Sequence, residues 1–381
     1  MSGFPSPGKS VPSPRILVLA IGEAHQLLHV LGVARELARS GVIPDILVPT
    51  DWHEDLIRAH APELSRNVLR TPLFYQGQPL YRCPPRLPNL LLSLRRISGY
   101  DAVLTPERTS TALKKLLGKQ SPKLIHILHG AGDREKGYED RIRLFDLVFV
   151  AGQKDRDAFL RYGLATADTC HVIGYCKFDV LPAAPPRFFE NDRPVALYNP
   201  HFDAHLGSWL RFGPSLVEAF ATMPEFNFIV APHLRLRGKG RHLFDKLSRL
   251  SQASNLRFDG GSLHSINMDY TRTADIYVGD VSSQVYEFLQ TPKPCVFLNA
   301  HDADWKDSPF YRHWTFGEVA SSAEEAPALI RSAASQHPRF VALQTSGFAA
   351  AINSGADTAS ARAALLIRKY LASAQPAEDR P

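Results

Sequence analysis

The stretch DIYVGDVSSQVYEFLQ, residues 275–290, joins a short apolar run to an acidic residue, two serines and a second apolar pattern. The run ending at Gly279 has the composition of a buried strand. The segment from Ser282 onward has the spacing of a helix, so the stretch predicts a strand, a tight turn and a helix. Backbone N–H groups at a helix start attract anions, and paired hydroxyls there would add donors. Helix capping by Ser and Asp explains the same residues equally well.

The same alternation of strand and helix patterns extends in both directions from this stretch. In the first half, strand patterns lie at 15–20, 42–49, 102–105, 124–128, 147–152 and 171–175. In the second half, they lie at 194–200, 227–233, 256–261, 275–280 and 295–300. Helical patterns lie at 25–39, 213–222, 241–252, 263–272, 282–290 and 358–373. Strands joined by helices form parallel sheets, so we expect an α/β protein with two Rossmann-like domains.

The domain boundaries follow from composition. Residues 181–194 are rich in Pro and polar side chains and predict a linker between domains at 15–180 and 195–350. The remaining segments are expected to be a disordered tail at 1–14, a C-terminal helix at 351–375 and a polar tail at 376–381. Ligands of parallel sheets bind beyond the carboxyl ends of the strands. Two facing domains would therefore hold a cleft between those ends.

Composition narrows the class of partner. The net charge of +6 favours anionic partners such as nucleotides or an acidic membrane face. The basic residues lack the interleaved aromatic side chains typical of nucleic-acid binding. The four cysteines form no C-x-x-C pair, which disfavours zinc and disulfides and favours reduced thiols in a cytoplasmic protein. No run approaches the roughly 20 apolar residues of a membrane span. We expect neither a metal nor a cofactor.

A candidate general base follows the strand LIHIL, in the segment HGAGDR, residues 129–134. An ordinary histidine titrates near neutral pH, so His129 could accept a proton from an attacking hydroxyl. Gly130 lets a substrate approach the backbone closely. Asp133 and Arg134 share the loop and could orient the base or contact a phosphate. An ordinary loop histidine remains the alternative.

Further candidates follow strands of the second half. His233 is followed by basic residues at 235–242, beginning with Arg235, which could neutralise phosphates or contact an acidic membrane. Asn199 ends a strand where the cleft is expected. Glu287 lies four residues after Ser283, on the same face of the predicted helix, and could bind ribose hydroxyls. A solvated basic loop and an ordinary turn are the alternatives for the first two.

Two other patterns are weaker. His25 and His29 have the i, i+4 spacing of metal ligands, but no third ligand is evident. The segment RLPNLLLSLRRISG, residues 86–99, is apolar and flanked by arginines. It suggests a peripheral membrane contact, with an ordinary core helix as the alternative.

The order D-x-S-S-x-x-x-(D/E)-F resembles the CDP-glycerol glycerophosphotransferase family, which builds polymers like teichoic acid. The matching residues are Asp280, Ser282, Ser283, Glu287 and Phe288, with His129-Gly130, Tyr198-x-Pro200 and Pro232-His233 similar to further family segments. The resemblance covers roughly residues 120–300. It implies a GT-B fold with two facing Rossmann-like domains. It also implies that the two serines hold the donor pyrophosphate with help from His233, and that His129 activates the acceptor hydroxyl.

The sequence departs from that family at several positions. Asn199 replaces a small residue, Val281 replaces Tyr, and the family's Asp is Glu287. Similar nucleotide-sugar epimerases usually carry Ser-Gly at the phosphate helix.

The resemblance implies a transferase that moves glycerol phosphate, or a similar polyol phosphate, from a CDP donor and releases CMP. The expected acceptor is a hydroxyl of a cell-surface polysaccharide or lipid-linked molecule, met at the inner face of the cell membrane. Two alternatives stay open: a GT-B glycosyltransferase using a UDP- or CMP-sugar, and a non-catalytic nucleotide-binding component of a polysaccharide assembly complex.

Overall fold

The computed structural model describes residues 13–133, 138–237, 244, 245, 247, 249 and 253–373. In this part of the chain, thirteen strands form two sheets in which every pair of neighbouring strands is parallel. The predicted tail at 1–14 falls almost wholly outside the described residues, and so do the tail at 376–381 and most of the helix predicted at 241–252.

The first sheet has seven strands in the order β3-β2-β1-β4-β5-β6-β7. Their bounds are β1 Ile16–Leu19, β2 Asp45–Thr50, β3 Val68–Tyr75, β4 Ala102–Thr105, β5 Lys123–Ile127, β6 Leu147–Val150 and β7 Cys170–Val172. The central strands β1, β4 and β6 are buried along their whole length. Sheets covered by helices on both faces require such uninterrupted apolar strands.

The second sheet has six strands in the order β10-β9-β8-β11-β12-β13. Their bounds are β8 Val195–Asn199, β9 Asn227–Val230, β10 Leu256–Phe258, β11 Ile276–Gly279, β12 Cys295–Leu298 and β13 Glu318–Ala320. The central pair aligns Gly279 of β11 with Asn199 of β8, so both strands end at one level.

Helices cover the faces of both sheets. The α-helices are α1 Ala24–Arg39, α2 Asp51–His60, α3 Arg86–Leu92, α4 Leu94–Ile97, α5 Ala112–Leu117, α6 Gln153–Arg161, α7 Gly213–Ala221, α8 Leu263–Ile266, α9 Asp269–Thr273, α10 Gln284–Phe288, α11 Ala326–Gln336, α12 Val341–Ala351 and α13 Ala359–Ser373. Short 3-10 helices include Cys176–Val180, Leu234–Leu236 and Pro309–Phe316. None of the helices in the described ranges is long and apolar enough to cross a membrane.

The predicted fold class is confirmed: the protein is α/β, with two Rossmann-like domains of parallel strands. In each sheet the strand order reverses beside the first strand, between β1 and β4 and between β8 and β11. Ligands of such sheets bind at these reversal points, beyond the carboxyl ends of the strands. The loops after β1, β4 and β5 face those after β8, β9 and β11 across one cleft, because side chains of both groups line a common cavity.

The chain passes between the two halves twice. Residues 181–194, the predicted linker, contain neither helix nor strand and lead into β8. The C-terminal helix begins at Ala359 rather than near 351, because α12 ends at Ala351 and an irregular segment follows. Helix α13 then packs against α1 of the first half, where Ala363 and Ile367 join a core cluster with Leu31. The last helix therefore completes the first half.

Candidate functional site

A cavity of about 470 Å³ lies between the two halves. The predicted residues that line it are His129, Gly130, Asn199, His233, Arg235, Ser282, Ser283 and Glu287. Asp280 is not among the described residues that line it, and Arg134 lies outside the described residues. The structure therefore brings the predicted residues of both halves to one place.

His129 is held in one orientation and one tautomer. Its Nδ1 lies 2.7 Å from the carbonyl oxygen of Pro106, which can only accept, so Nδ1 carries the proton. Nε2 is then the acceptor, and the side-chain amide of Gln26 donates to it over 3.1 Å. Burial is the main reason why the pKa of His129 falls to about 4. The imidazole is consequently neutral near pH 7, with the acceptor nitrogen that a general base needs.

Two further histidines lie beside His129. The ring centroids of His25 and His29 lie 6.4 Å and 6.2 Å from that of His129. Burial is the main reason why the pKa of His25 falls to about 3, and it lowers the pKa of His29 well below the usual value. Within the described residues, no group of three or more His, Cys, Asp or Glu could hold a metal ion. The i, i+4 pair instead forms one wall of the cavity.

His233 presents the opposite hydrogen-bonding role. It begins the 3-10 helix Leu234–Leu236, and its Nδ1 accepts a hydrogen bond from the backbone N–H of Arg235 over 3.2 Å. A neutral ring therefore carries its proton on Nε2. His129 can accept a proton, whereas His233 can donate a hydrogen bond to an anion, and both line the cavity.

The two serines meet the loop that follows β5. A Cβ atom added to Gly130 would lie 3.1 Å from Oγ of Ser283, and one added to Gly132 would lie 3.1 Å from its Cβ. Gly130 also has φ +89°, a conformation that other residues rarely adopt. Ser282 caps its own turn by accepting a hydrogen bond from the N–H of Gln284 over 3.2 Å. Ser283, the N-cap residue of α10, makes no side-chain capping hydrogen bond in the described structure, so only Ser282 shows part of the predicted capping role, and both serines line the cavity.

Asp280 supports the site from beneath it. Its Oδ2 accepts hydrogen bonds from the backbone N–H groups of His201 and Ser208, at 2.8 and 3.0 Å. Burial raises the pKa of this carboxyl group to about 7. The carboxyl group therefore holds the loop after β8 in place. Its predicted contact with the donor substrate stays a prediction, which this geometry does not support.

Glu287 is bound to the first half of the chain. Both the hydroxyl of Tyr175, at 2.7 Å, and the ammonium of Lys177, at 2.8 Å, donate to its Oε1. The side chains of Lys177 and Glu287 are each only 6% exposed. This buried ion pair joins the 3-10 helix Cys176–Val180 to α10 at the wall of the cavity.

Arg235 makes a second link across the cleft. Its guanidinium donates two hydrogen bonds to the carboxylate of Glu23, at 2.7 and 2.6 Å. Burial alone would raise the pKa of Glu23, but nearby His25, the hydrogen-bonded guanidinium of Arg235 and the charge of Arg86 lower it to about 2. The predicted phosphate contact of Arg235 would therefore compete with a carboxylate.

Asp133 anchors the loop of His129 to the second half. Its carboxylate accepts hydrogen bonds from Lys154 at 2.6 Å, Tyr286 at 2.8 Å and Nδ1 of His313 at 2.9 Å. Burial would raise the pKa of Asp133, but these donors hold it well below its usual value. Asn199 is fixed in a similar way, because its amide donates to the carbonyl oxygen of Ala231 over 2.7 Å.

Sequence reasoning missed Gln26, Tyr175 and Lys177. Gln26 is one residue beyond the noted His25, on the helix that follows the first strand. Its position after a strand was the available evidence. Tyr175 and Lys177 follow β7, and nothing local indicates that they reach Glu287, more than a hundred residues away.

The sequence matches no protein-family profile, and it matches no curated protein. Solved structures do match. UDP-N-acetylglucosamine 2-epimerase from Neisseria meningitidis, bound to UDP-N-acetylglucosamine, is 16% identical with TM-score 0.61, covering 94% of this chain and 100% of that one. Sucrose-phosphate synthase from Thermosynechococcus elongatus is 16% identical with TM-score 0.53 and the same coverages. A glycosyltransferase from Rickettsia africae is 14% identical with TM-score 0.51, covering 96% and 100%. These likenesses establish the GT-B fold over nearly the whole chain.

Proposed function

We propose that this protein is a GT-B transferase that moves a group from a nucleoside-diphosphate donor to an acceptor hydroxyl. The transferred group is a sugar in our main proposal. The observation that carries it is the tautomer of His129, whose acceptor Nε2 belongs to a cavity between two Rossmann-like domains. A neutral base at this point can take the proton of a hydroxyl as that hydroxyl attacks.

The opposite wall of the cavity suits a diphosphate. His233 offers Nε2–H, and Ser282 and Ser283 offer hydroxyls at the end of β11. Neutral donors that converge on a diphosphate stabilise the charge that grows on the leaving group. The nitrogen that can accept a proton thus belongs to the first half, and the groups that can donate hydrogen bonds to a diphosphate belong to the second. This arrangement suits a transfer between two substrates.

A sugar is favoured over glycerol phosphate by the comparisons. The Neisseria structure is bound to UDP-N-acetylglucosamine, and the other two proteins are named for glycosyl transfer or sugar-phosphate synthesis. In the transfer, the bond between the sugar's anomeric carbon and the donor's phosphate oxygen breaks. The acceptor oxygen forms the new bond, its proton passes to His129, and the nucleoside diphosphate leaves with the electron pair.

Glycerophosphate transfer is the second candidate, because the family-like residues His129, His233, Ser282 and Ser283 share one cavity. The acceptor would then attack the β-phosphorus of CDP-glycerol and release CMP. For either reaction we propose an acceptor hydroxyl on a surface polysaccharide or lipid-linked molecule, met at the inner face of the cell membrane. The net charge of +6 supports acidic surroundings of this kind.

The donor is tested by calorimetric titration with UDP, UDP-N-acetylglucosamine, CDP and CDP-glycerol. We expect tighter binding of the uridine compounds and a loss of at least 10-fold in Ser282→Ala/Ser283→Ala. Selective binding of CDP-glycerol would establish the second candidate instead. The absence of any nucleotide binding by the folded wild type would overturn both.

Catalysis is tested separately on His129→Ala. Loss of a general base should lower kcat by about 10²- to 10⁴-fold while donor affinity is kept. His171→Ala, a histidine away from the cavity, is the matched control and should keep full activity. Equal activity of His129→Ala and wild type would overturn the role of His129 as general base, whereas nucleotide binding without any activity of the wild type would show that the protein only binds the nucleotide. Conversion of the sugar of UDP-N-acetylglucosamine without an acceptor would show an epimerase.

A further inference from the structure

Helix α3 turns an apolar face toward solvent. Leu87, Leu91 and Leu92 are 49%, 43% and 58% exposed, whereas Asn89 and Leu90 on the other side are fully buried. The spacing i, i+4, i+5 puts the three leucines on one face of the helix. The core-helix interpretation of this segment is therefore wrong for the outward half of its surface.

All the charged residues in the segment around this apolar face are arginines. From Leu64 to Tyr100 the sequence has no Asp or Glu and has six arginines. Arg82 and Arg95 are exposed on either side of the leucines. Adjacent leucines and arginines without acidic residues are complementary to a surface that is apolar below and negatively charged above.

Five other leucines of the described chain are exposed, at separate positions along the sequence: Leu116, Leu144, Leu210, Leu343 and Leu365. Leu116, Leu210 and Leu365 are 45%, 58% and 49% exposed, and they belong to or flank three different helices, α5, α7 and α13. Scattered exposed leucines are ordinary on protein surfaces, whereas clustered ones mark contact sites. These three supply matched controls for the cluster on α3.

The same helix reaches the cavity. Arg86, its first residue, lines the cavity wall, and its guanidinium lies 3.5 Å from Glu23 and 4.0 Å from Glu107. One short helix thus has its first side chain in the cleft and its leucines outside. A surface that covers the leucines would lie beside the opening of the cleft.

We propose that α3 and its flanking arginines form a docking surface for an anionic lipid bilayer. Leu87, Leu91 and Leu92 enter the boundary between headgroups and acyl chains, and Arg82 and Arg95 pair with lipid phosphates. A seven-residue helix gives shallow, reversible attachment. The attachment brings the cleft next to the membrane surface, where a lipid-linked acceptor can enter. The contact itself is independent of the proposed transferase activity.

The test is flotation of the full chain with vesicles of phosphatidylcholine alone or mixed equally with phosphatidylglycerol, without nucleotide. We expect the wild type to float with the mixed vesicles only, and 0.5 M NaCl to release it. Leu87→Ser/Leu91→Ser/Leu92→Ser should lower binding at least 10-fold. Leu116→Ser/Leu210→Ser/Leu365→Ser should bind like the wild type. The single variant Leu92→Glu serves if the triple variant fails to fold.

Several outcomes would overturn the inference. They are failure of the wild type to bind mixed vesicles, equal binding to phosphatidylcholine alone, and equal losses in the two triple variants. Light scattering in the absence of lipid adds another. Self-association that the α3 variant abolishes, without vesicle binding by the wild type, would assign this face to a second copy of the chain.

Discussion

At the residue scale, the backbone decides what each histidine of the cleft can do. The carbonyl oxygen of Pro106 makes His129 an acceptor at Nε2, and the N–H of Arg235 makes His233 a donor at Nε2. Identical side chains thus acquire opposite roles from contacts that lie behind them. Substitutions that disturb these backbone partners should affect the chemistry as much as substitutions of the histidines.

Gly130 allows the loop of His129 to approach Ser283, which leads to a prediction. Gly130→Ala should destabilise the protein by about 1–2 kcal/mol, because φ +89° is unfavourable for alanine. It should also weaken nucleotide binding, because the new methyl group would press on Oγ of Ser283. Urea unfolding and calorimetric titration measure the two effects.

Gly41→Ala is the control for this prediction. Gly41 has φ +87°, but no atom lies within 4 Å of the position of an added Cβ. It should show the same loss of stability with unchanged nucleotide binding. Equal nucleotide affinity in both variants would contradict the close contact between the loop and Ser283.

Residues that follow strands could be predicted from sequence, and contacts across the cleft could not. His129, His233 and Ser283 lie two, three and four residues after the ends of β5, β9 and β11, so the general rule for parallel sheets placed them at the cleft. The rule gives no information about hydrogen-bond partners. Asp280 satisfied it equally well, yet its carboxylate faces backbone N–H groups of the loop after β8.

At the element scale, the 3-10 helix Cys176–Val180 and α10 are joined by the buried pair Lys177–Glu287. Removing one partner leaves an uncompensated buried charge. Lys177→Met should therefore lower the free energy of unfolding by about 3–5 kcal/mol. Adding Glu287→Gln should recover part of that loss, because the unpaired carboxylate is then gone. Urea unfolding of the four proteins of the cycle measures the coupling.

An exposed ion pair provides the comparison. Arg39 pairs with Glu36 on α1, and its side chain is 61% exposed. Arg39→Met should hardly change stability, because solvent screens such pairs. A loss for Lys177→Met as small as that for Arg39→Met would show that the pair does not hold the two halves together.

The failure of the sequence analysis to predict β3 has a physical explanation. β3 is an edge strand, and only Thr71 among its eight residues is buried. Its sequence VLRTPLFY includes Arg and Pro, so it lacks the uninterrupted apolar run that predicted the central strands. The helix predicted at 282–290 spans only Gln284–Phe288, because its first serines form the turn instead. Strand existence was predictable in the sheet centres, and boundaries were not.

At the scale of the whole molecule, buried neutral histidines determine the response to acid. Burial is the main cause that lowers the pKa of each member of one group: His25, His29, His53, His126 and His129. An unfolded histidine binds a proton near pH 6.5. Between pH 6.5 and about 4 the unfolded chain therefore binds more protons than the folded one, and stability falls as pH falls.

This leads to a prediction for urea unfolding at pH 5, 6 and 7. Each proton that the unfolded chain binds in excess of the folded chain lowers the free energy of unfolding by about 1.4 kcal/mol for every unit by which the pH falls. Burial raises the pKa of Asp280 to about 7 and of Asp155 to about 6, and it also raises the pKa of Glu107 and Asp179, so these four groups act in the opposite direction. The histidines outnumber them, so the free energy of unfolding should rise from pH 5 to pH 7.

A single variant checks the origin of that slope. His53 is 1% exposed and lies away from the cavity, with Nδ1 2.7 Å from Oγ1 of Thr50. His53→Asn removes one of the titrating groups, so the slope below pH 6.5 should become smaller by up to about 1.4 kcal/mol per pH unit. An unchanged slope would assign the pH response to other groups.

The return of α13 to the first half has a mechanical consequence. Two segments of the chain, at 181–194 and at 352–358, connect the halves. Two connecting segments define an axis about which one half can rotate relative to the other. Rotation of one half about that axis can widen the mouth of the cleft. Twisting or sliding of one half against the other would stretch one of the two connecting segments. We therefore expect the cleft to open by rotation about this axis.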